Sequence, residues 1–269
     1  MSHLRREVVK QLFQKRTYFG WAGLLAVPLI MTIALKLSTT PPQAGEGPPF
    51  LSDIVNNGLN VPLSALAALS FFLLPLVSAM TGGFVIAGEA EQGTLKTLLS
   101  RPVTRSGILL AKWLVAVGYV GVGMALVFVG ALLSGWLVFG IHPLTTLSGS
   151  QMGVAHAVGL IALGYLIGLA GMACIVSLAV LISTLTDSSL TAAISALVLV
   201  LVLQVLGQFH YFDFLKPYLF TSHFEDWFNL LRQPIPWEPI WKALVTFAAY
   251  IVAFMVAAWA WFRRKDILS

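Results

Sequence analysis

The feature that most constrains this chain is a stretch of 74 residues, 113–186, that contains no Asp, Glu, Lys or Arg. A second charge-free stretch covers residues 188–212. Only 10% of the 269 residues are charged, whereas soluble domains carry about 25%. A chain with so few charges cannot cover a water-facing surface. The sequence therefore predicts an all-α integral membrane protein whose helices cross the bilayer.

Six hydrophobic segments are long enough to cross a bilayer. They cover residues 18–37, 61–87, 107–139, 153–181, 190–206 and 240–262. Pro75 lies inside the second segment and is expected to bend it, because proline lacks an N–H donor and clashes with the preceding turn. In the fourth segment, Gly164, Gly168 and Gly171 form a small-residue pattern, for which packing within the bundle is favoured over a dimer contact. The whole chain, 1–269, is predicted to form one transmembrane domain.

Two further segments are too polar to cross the membrane. Residues 1–17 have an apolar face and a largely basic face, which is typical of a helix that lies in the membrane interface. An ordinary basic flank that only sets orientation is the alternative. Residues 208–238 combine many aromatic side chains with scattered charges. They are predicted to form one or two short helices at the membrane edge, broken near Pro217.

The distribution of basic residues predicts the orientation. If both termini lie on the same side, that side holds 12 of the 16 lysines and arginines. We therefore expect six crossings of the cell membrane with both termini in the cytoplasm. Residues 88–105 and the polar turn 183–189 then face the cytoplasm, and residues 208–238 are extracellular. The net charge of +5 lies where loops meet the membrane, so it indicates contact with membrane lipid and not with nucleic acid.

Residues 88–105 form the most polar long segment of the chain. Two glutamates open it, three leucines follow at positions i, i+3 and i+4, and a proline ends it. These residues are Glu89, Glu91, Leu95, Leu98, Leu99 and Pro102. We expect a short amphipathic helix with the glutamates on its exposed face, suited to docking in the groove of a partner protein. A surface helix that only seals the bundle is the alternative.

The ionisable residues do not form a recognisable catalytic or metal site. No charge lies within 113–186, and the histidines do not share a metal-ligand spacing. Gly88 and Gly93 have the spacing of a phosphate-binding loop, but Thr94 and Leu95 follow where that loop needs Lys and then Ser or Thr. We therefore expect no catalytic residue, metal or cofactor in this chain, so that any ATP is hydrolysed elsewhere. The charge-free central spans also argue against an ion-coupled carrier.

The run from Gly88 to Lys112 resembles the signature of ABC-2-type transporter permeases, the transmembrane subunits of ATP-binding-cassette exporters. Members carry a Glu-x-Glu-x-Gly-Thr-Leu-x-x-Leu-Leu-x-x-Pro-Val-x-Arg pattern between the second and third spans. The matching positions are Glu89, Glu91, Gly93, Thr94, Leu95, Leu98, Leu99, Pro102, Val103, Arg105 and Lys112. Ala90 departs from the family, which frequently has a basic residue at that position.

The resemblance implies that residues 88–105 are the coupling helix, which docks on a separate cytoplasmic ATPase. Its ATPase-coupling residues would be Glu89, Glu91, Gly93, Thr94, Leu95, Leu98, Leu99, Pro102 and Arg105. Two permeases, identical or paralogous, would join two ABC ATPase subunits that bind ATP and magnesium, and export would proceed by alternating access. The N-terminal helix would be the elbow helix, and residues 208–238 a lid on the exit. A non-transporting scaffold or sensor subunit and an ion-coupled carrier are the alternative functions.

Overall fold

The computed structural model describes residues 3–13, 15–37, 57–93, 105–145 and 148–264. The α-helices within these ranges are α1 (His3–Leu12), α2 (Lys15–Leu37), α3 (Asn60–Phe71), α4 (Leu73–Gly83), α5 (Ala87–Glu91), α6 (Arg105–Phe139), α7 (Val154–Leu185), α8 (Ser189–Leu206) and α9 (Trp237–Arg264). Three 3-10 helices cover His210–Phe212, Phe220–His223 and Asp226–Leu231. The helical fold follows from the composition, because only helices and closed barrels satisfy every backbone group in lipid.

The expectation of an all-α fold needs one correction, because a short antiparallel strand pair follows α6. Strand β1 (Leu144–Thr145) pairs with β2 (Gln151–Met152), so that Leu144 lies opposite Met152. Gly149, between the two strands, has a φ of +80°, a conformation that glycine adopts at no steric cost. The backbone groups of these two residue pairs are therefore satisfied across this turn.

Five helices in the described ranges are long and apolar enough to cross a membrane: α2 from Thr17, α6, α7, α8 and α9. Helices α3 and α4 together would make a sixth span, but they are bent by 55° relative to each other. The break lies at Phe72, one turn before Pro75. This is where the proline ring would clash with the carbonyl of the residue four positions earlier, so the expected bend is confirmed. Crossing by the bent pair as one span remains a prediction.

Helix α7 forms the centre of the bundle and packs against α4, α6, α8 and α9. Within its most apolar window 72% of the residues are buried, against 17% for α2 and for α9. A Cβ atom on Gly164 would lie 3.3 Å from the ring of Trp227, and one on Gly171 would lie 3.2 Å from the ring of Phe224. These glycines therefore accommodate aromatic residues of the same chain, which confirms that the pattern serves packing within the bundle.

The helix ends form two polar layers. The layer called here the motif end contains α1, the end of α4, α5, the start of α6, the turn 186–188, which is shorter than the predicted 183–189 because α7 continues to Leu185, and the end of α9. The layer called the opposite end contains residues 57–59, 140–145, 148–152 and 208–236. Asn57 joins parts of the opposite end by donating hydrogen bonds to the carbonyl oxygens of His142, at 2.9 Å, and Pro143, at 3.3 Å.

The aromatic segment at the opposite end folds back onto α7 and α9. Its first two 3-10 helices are separated around Pro217, so the predicted break near this proline is confirmed. The segment forms three short helices where one or two were expected, and their position at the membrane edge remains a prediction. Phe220 lies against the rings of Tyr250 and Phe254. The Tyr250 hydroxyl donates a 2.8 Å hydrogen bond to the Tyr218 carbonyl oxygen. These contacts fix the segment against α9.

Candidate functional site

The two glutamates of the Glu-x-Glu motif lie on α5, a helix of five residues. Gly93 has a φ of +68°, and its N–H donates to the carbonyl oxygen of Ala90 at 3.0 Å. A glycine in this left-handed conformation is a common helix terminator. The expectation of one helix over 88–105 is therefore wrong in one respect, because the helix that carries the glutamates ends at Glu91. Thr94, Leu95, Leu98, Leu99 and Pro102 lie outside the described residues.

Glu89 is buried in an ion-pair network, contrary to the expectation that it would lie on an exposed face. Its Oε1 accepts hydrogen bonds from Lys112 Nζ at 2.6 Å and from Lys10 Nζ at 2.8 Å. Lys112 also pairs with Glu7 Oε2 at 3.2 Å. Because α5 begins almost directly after α4, its first turn still lies within the bundle, where a buried lysine of α6 needs a counter-ion. The network joins α1, α5 and α6.

The charges around Glu89 determine its ionisation. Burial would raise the pKa of its carboxyl group, but the ammonium groups of Lys112 and Lys10 outweigh that effect and hold the pKa below its ordinary value. Glu89 is therefore a carboxylate at neutral pH. Together with Lys112 it forms a fixed electrostatic contact between the motif and α6.

Glu91 binds the first residue of α8. Its Oε2 accepts hydrogen bonds from the Ser189 hydroxyl at 2.5 Å and from the Ser189 backbone N–H at 3.2 Å. The side-chain bond and the backbone bond both favour the ionised form, and the pKa of Glu91 is lowered. A carboxylate beside the N-terminus of an apolar helix is also favourably placed in the field of the helix dipole. Glu91 therefore connects α5 to α8.

Ser183 connects α7 to the joint between α4 and α5. Its hydroxyl donates to the carbonyl oxygen of Gly83 at 2.8 Å. It accepts from the backbone N–H groups of Ile86, at 3.1 Å, and Ala87, at 2.8 Å. One buried side chain thus satisfies backbone groups on both sides of the joint.

Arg105, the last residue of the motif within the described ranges, binds the C-terminal end of α9. Its Nη1 donates to the carbonyl oxygens of Phe262 and Arg263, both at 3.0 Å. A cation beside the last carbonyl groups of a helix is electrostatically favoured. The motif residues therefore contact α1, α6, α8 and the end of α9, and the joint just before them contacts α7.

The contacts made by Glu89, Glu91, Ser183 and Arg105 are called here the junction. A cleft of about 440 Å³ lies beside it, between α1 and α2 on one side and α4 and α5 on the other. Glu89, Lys10 and Lys112 form a charged part of its wall, and Val77 and Met80 belong to its apolar part. Among the residues that the structure describes, no group of three or more His, Cys, Asp and Glu side chains could hold a metal ion. What the site does show is a set of ion pairs and hydrogen bonds that hold the helix ends in fixed positions relative to each other.

Three of the sequence-predicted site residues, Glu89, Glu91 and Arg105, lie in this junction, and Gly93 ends the helix next to it. Sequence reasoning missed Lys10, Glu7, Ser183 and Ser189 as their partners. A signal for the lysine network existed, because Lys112 is the last charge before the charge-free stretch and a lysine at that depth needs a carboxylate. The serines carry no such signal, since serine also occurs in turns that bind nothing.

Comparison with known proteins adds an independent finding. The sequence model of the family described as "ABC-2 family transporter protein" matches residues 9–267. A stretch of 92 residues is 33% identical to a protein of Stutzerimonas stutzeri described as "Probable ABC transporter permease protein NosY". This stretch covers 34% of the present chain and 30% of the relative's length. Because the family match covers nearly the whole sequence, the chain belongs to the ABC-2 family of transporter proteins.

Proposed function

We propose that this chain is the permease subunit of an ATP-binding-cassette exporter, in which a separate ATPase drives alternating access through the Glu-x-Glu motif. The family supplies the coarser part, a multi-pass membrane subunit of an ABC transporter that works with an ATP-binding partner. The direction of transport and the coupling route are the proposal. ATP and magnesium would be bound by the partner.

The observation that carries the proposal is the attachment of the motif to several spans at once. Ser183 joins α7 to the α4–α5 joint, and Glu91 joins α5 to α8. A displacement of α5 is therefore transmitted to α4, α7 and α8 without loose intervening residues. A surface helix that only sealed the bundle would not need hydrogen bonds to the ends of the apolar helices.

Helix α4 is closely packed on one side, against α7 and α8, and borders a cleft on its other side. A Cβ atom on Gly82 would lie 2.6 Å from the carbonyl oxygen of Val176, and one on Gly83 would lie 2.7 Å from the backbone nitrogen of Ala193. Helix α4 therefore moves together with α7 and α8, because the backbones are already in contact. The cleft of about 440 Å³ on the other side of α4 leaves room for movement relative to α1 and α2.

We assign two roles to the residues of the motif. Thr94, Leu95, Leu98, Leu99 and Pro102 would form the surface that docks on the ATPase, with the leucines in an apolar groove. Glu89, Glu91, Gly93 and Arg105 would position that surface and pass its displacement to the bundle. In this proposal the glutamates contribute to coupling through their contacts within the chain and not through contacts with the ATPase.

The assembly we propose has two permeases, as identical copies or paralogues, and two ATPases. The chain would lie in the cell membrane with both termini and the motif end in the cytoplasm. Residues 208–238 would then be extracellular and close the exit, and α1 would be the elbow helix in the interface. The exposed apolar side chains of α1, among them Val8 and Val9, are compatible with contact to lipid.

The test is capture of the ATPase by the full-length protein. Leu95→Asp should abolish co-purification of the cognate ATPase, because a charge enters the apolar docking face, while the helical content and thermal stability stay at wild-type values. Tyr211→Asp is the matched control: Tyr211 is 84% exposed at the opposite end, and the variant should retain the ATPase. Retention of the ATPase by both Leu95→Asp and Leu98→Asp would refute the docking surface.

A transport measurement separates the alternatives. In vesicles, a rise in the ATPase rate on addition of the transported compound supports a transporter. An ATPase that binds but never responds indicates a scaffold or sensor subunit. Accumulation driven by a proton or sodium gradient without nucleotide indicates an ion-coupled carrier and would refute the proposal.

A further inference from the structure

A second cleft, at the opposite end of the molecule, has polar walls that the proposed coupling does not use. Its volume is about 300 Å³, at the lower end of the range of ligand pockets. It lies between the last turn of α3, the C-terminal end of α8 and the aromatic segment. Its polar lining includes Ser70, Gln204, Lys216, Thr221, Glu225 and Trp227.

Three polar atoms of these lining side chains are buried without a hydrogen-bond partner in the described parts of the chain. They are Gln204 Nε2, Thr221 Oγ1 and Trp227 Nε1. Thr221 is 7% exposed and Trp227 is 1% exposed, so water does not solvate them freely. Buried polar atoms are nearly always paired in native proteins, because leaving one unpaired costs about as much as losing a hydrogen bond. Three such atoms around one cleft indicate a missing partner.

The chemistry of these atoms defines that partner. The indole N–H of Trp227 and the amide nitrogen of Gln204 are donors only, and the Thr221 hydroxyl can donate or accept. The partner must therefore supply hydrogen-bond acceptors. Lys216 and Glu225 add one charge of each sign to the lining, and Lys216 is paired with Asp213 at 2.7 Å. Because Asp213 already compensates Lys216 and Glu225 is acidic, the lining disfavours an anionic ligand.

The apolar part of the cleft and its surroundings indicate an amphiphile. Ala67, Phe71 and Phe224 complete the wall between the polar groups, and Phe71 is 63% exposed on a helix within the apolar bundle. An acyl chain can lie along such a surface while its polar end enters the cleft. The walls are also held in place, because Phe224 packs against Gly171 and Phe247, and Trp227 packs against Gly164.

We propose that this cleft binds the head group of an amphiphile with hydrogen-bond acceptors and no net charge, contacted by Gln204, Thr221 and Trp227. Such a ligand is a membrane lipid or another molecule with the same head-group chemistry. The proposal concerns binding alone, so it holds whether or not the motif end couples to an ATPase.

The test uses the full-length protein in nanodiscs that contain a photoactivatable phosphatidylethanolamine, whose head group is zwitterionic. Labelling should map to peptides that contain residues 204–227 and should exceed that by a photoactivatable phosphatidylglycerol, whose head group is anionic. Thr221→Val and Gln204→Leu should each reduce labelling about tenfold, the effect of losing one or two hydrogen bonds. Stronger labelling by phosphatidylglycerol would refute the charge argument.

Ser64→Ala is the matched control, because Ser64 Oγ is another buried hydroxyl without a partner among the described residues and Ser64 does not line the cleft. This variant should label as the wild type does. If Thr221→Val and Gln204→Leu also label as the wild type does, whatever their melting temperature, the three atoms are only unsatisfied and the proposal fails. Competition by soluble glycerophosphoethanolamine would show that the head group alone is sufficient for binding. Intact labelling in its presence would show that the acyl chains are also needed for binding. Both results support the site.

Discussion

Removal of the Lys112 charge should destabilise the protein far more than removal of the Lys10 charge, although both lysines contact the same oxygen of Glu89. The side chains of Lys112 and Glu89 are 5% and 7% exposed, whereas that of Lys10 is 48% exposed. Breaking a buried ion pair from one side costs about 3–5 kcal/mol, because the other charge stays buried. Lys112→Met should cost about 3 kcal/mol, the lower end of this range, since Glu89 keeps Lys10. Lys10→Met should cost below about 1 kcal/mol, as for other exposed pairs.

The measurement is the free energy of unfolding in mixed micelles, from a denaturant titration followed by circular dichroism. The double variant Glu89→Leu with Lys112→Met should recover most of the loss, because a buried ion pair replaced by apolar side chains is often neutral in stability. The lowered pKa of Glu89 also implies that its contribution is present above the ordinary value of 4.5 and is lost as the pH falls through the folded-state pKa. Equal costs for the two lysine variants, or a double variant as unstable as the sum of its parts, would refute the buried network.

Three further predictions concern other contacts. Asp226 raises the pKa of His223 above its ordinary 6.5, so the pair stabilises residues 220–231 below pH 6.5 and its contribution is lost as the pH rises through the raised pKa. Amide exchange in these residues should become faster over that pH range, and Asp226→Asn should remove this pH dependence. Gly83→Ala should lower stability by about 1–3 kcal/mol in the same micelle titration, because its Cβ would meet a backbone nitrogen of α8, whereas Gly159→Ala, with no atom within 4 Å of the new Cβ, should be neutral or stabilising. Ser183→Ala should lower stability by about 2 kcal/mol in that titration and raise amide exchange at residues 86 and 87, since buried backbone groups lose their partner; unchanged exchange would contradict the described joint.

The sequence predicts the spans well because lipid imposes a simple rule. Long apolar runs must be helical, so α6 to α9 follow from composition alone, and the bend before Pro75 follows from the chemistry of proline. The strand pair after α6 was not anticipated, because two-residue strands have no periodicity from which to recognise them.

The site was predictable in location but not in its internal contacts. Glu89 and Glu91 were identified by motif, yet their expected exposure was wrong for Glu89. The exposure of Glu89 depends on where α4 ends and on which face of α6 carries Lys112. Both are properties of the tertiary structure. Gly93 could have been interpreted as a helix end from the turn preference of glycine, but the helical spacing of the later leucines favoured a single continuous helix.

The 55° break at Phe72 has a consequence for how far a movement spreads. Helix α4 is built into the motif end, whereas α3 contributes to the wall of the cleft at the opposite end. A straight span would act as one lever and copy any tilt from one face of the membrane to the other. If the bent pair crosses the membrane as one span and the proposed coupling operates, we expect α4 to turn with the motif end while α3 keeps its place in the wall of the cleft, so that the two ends of the span respond separately.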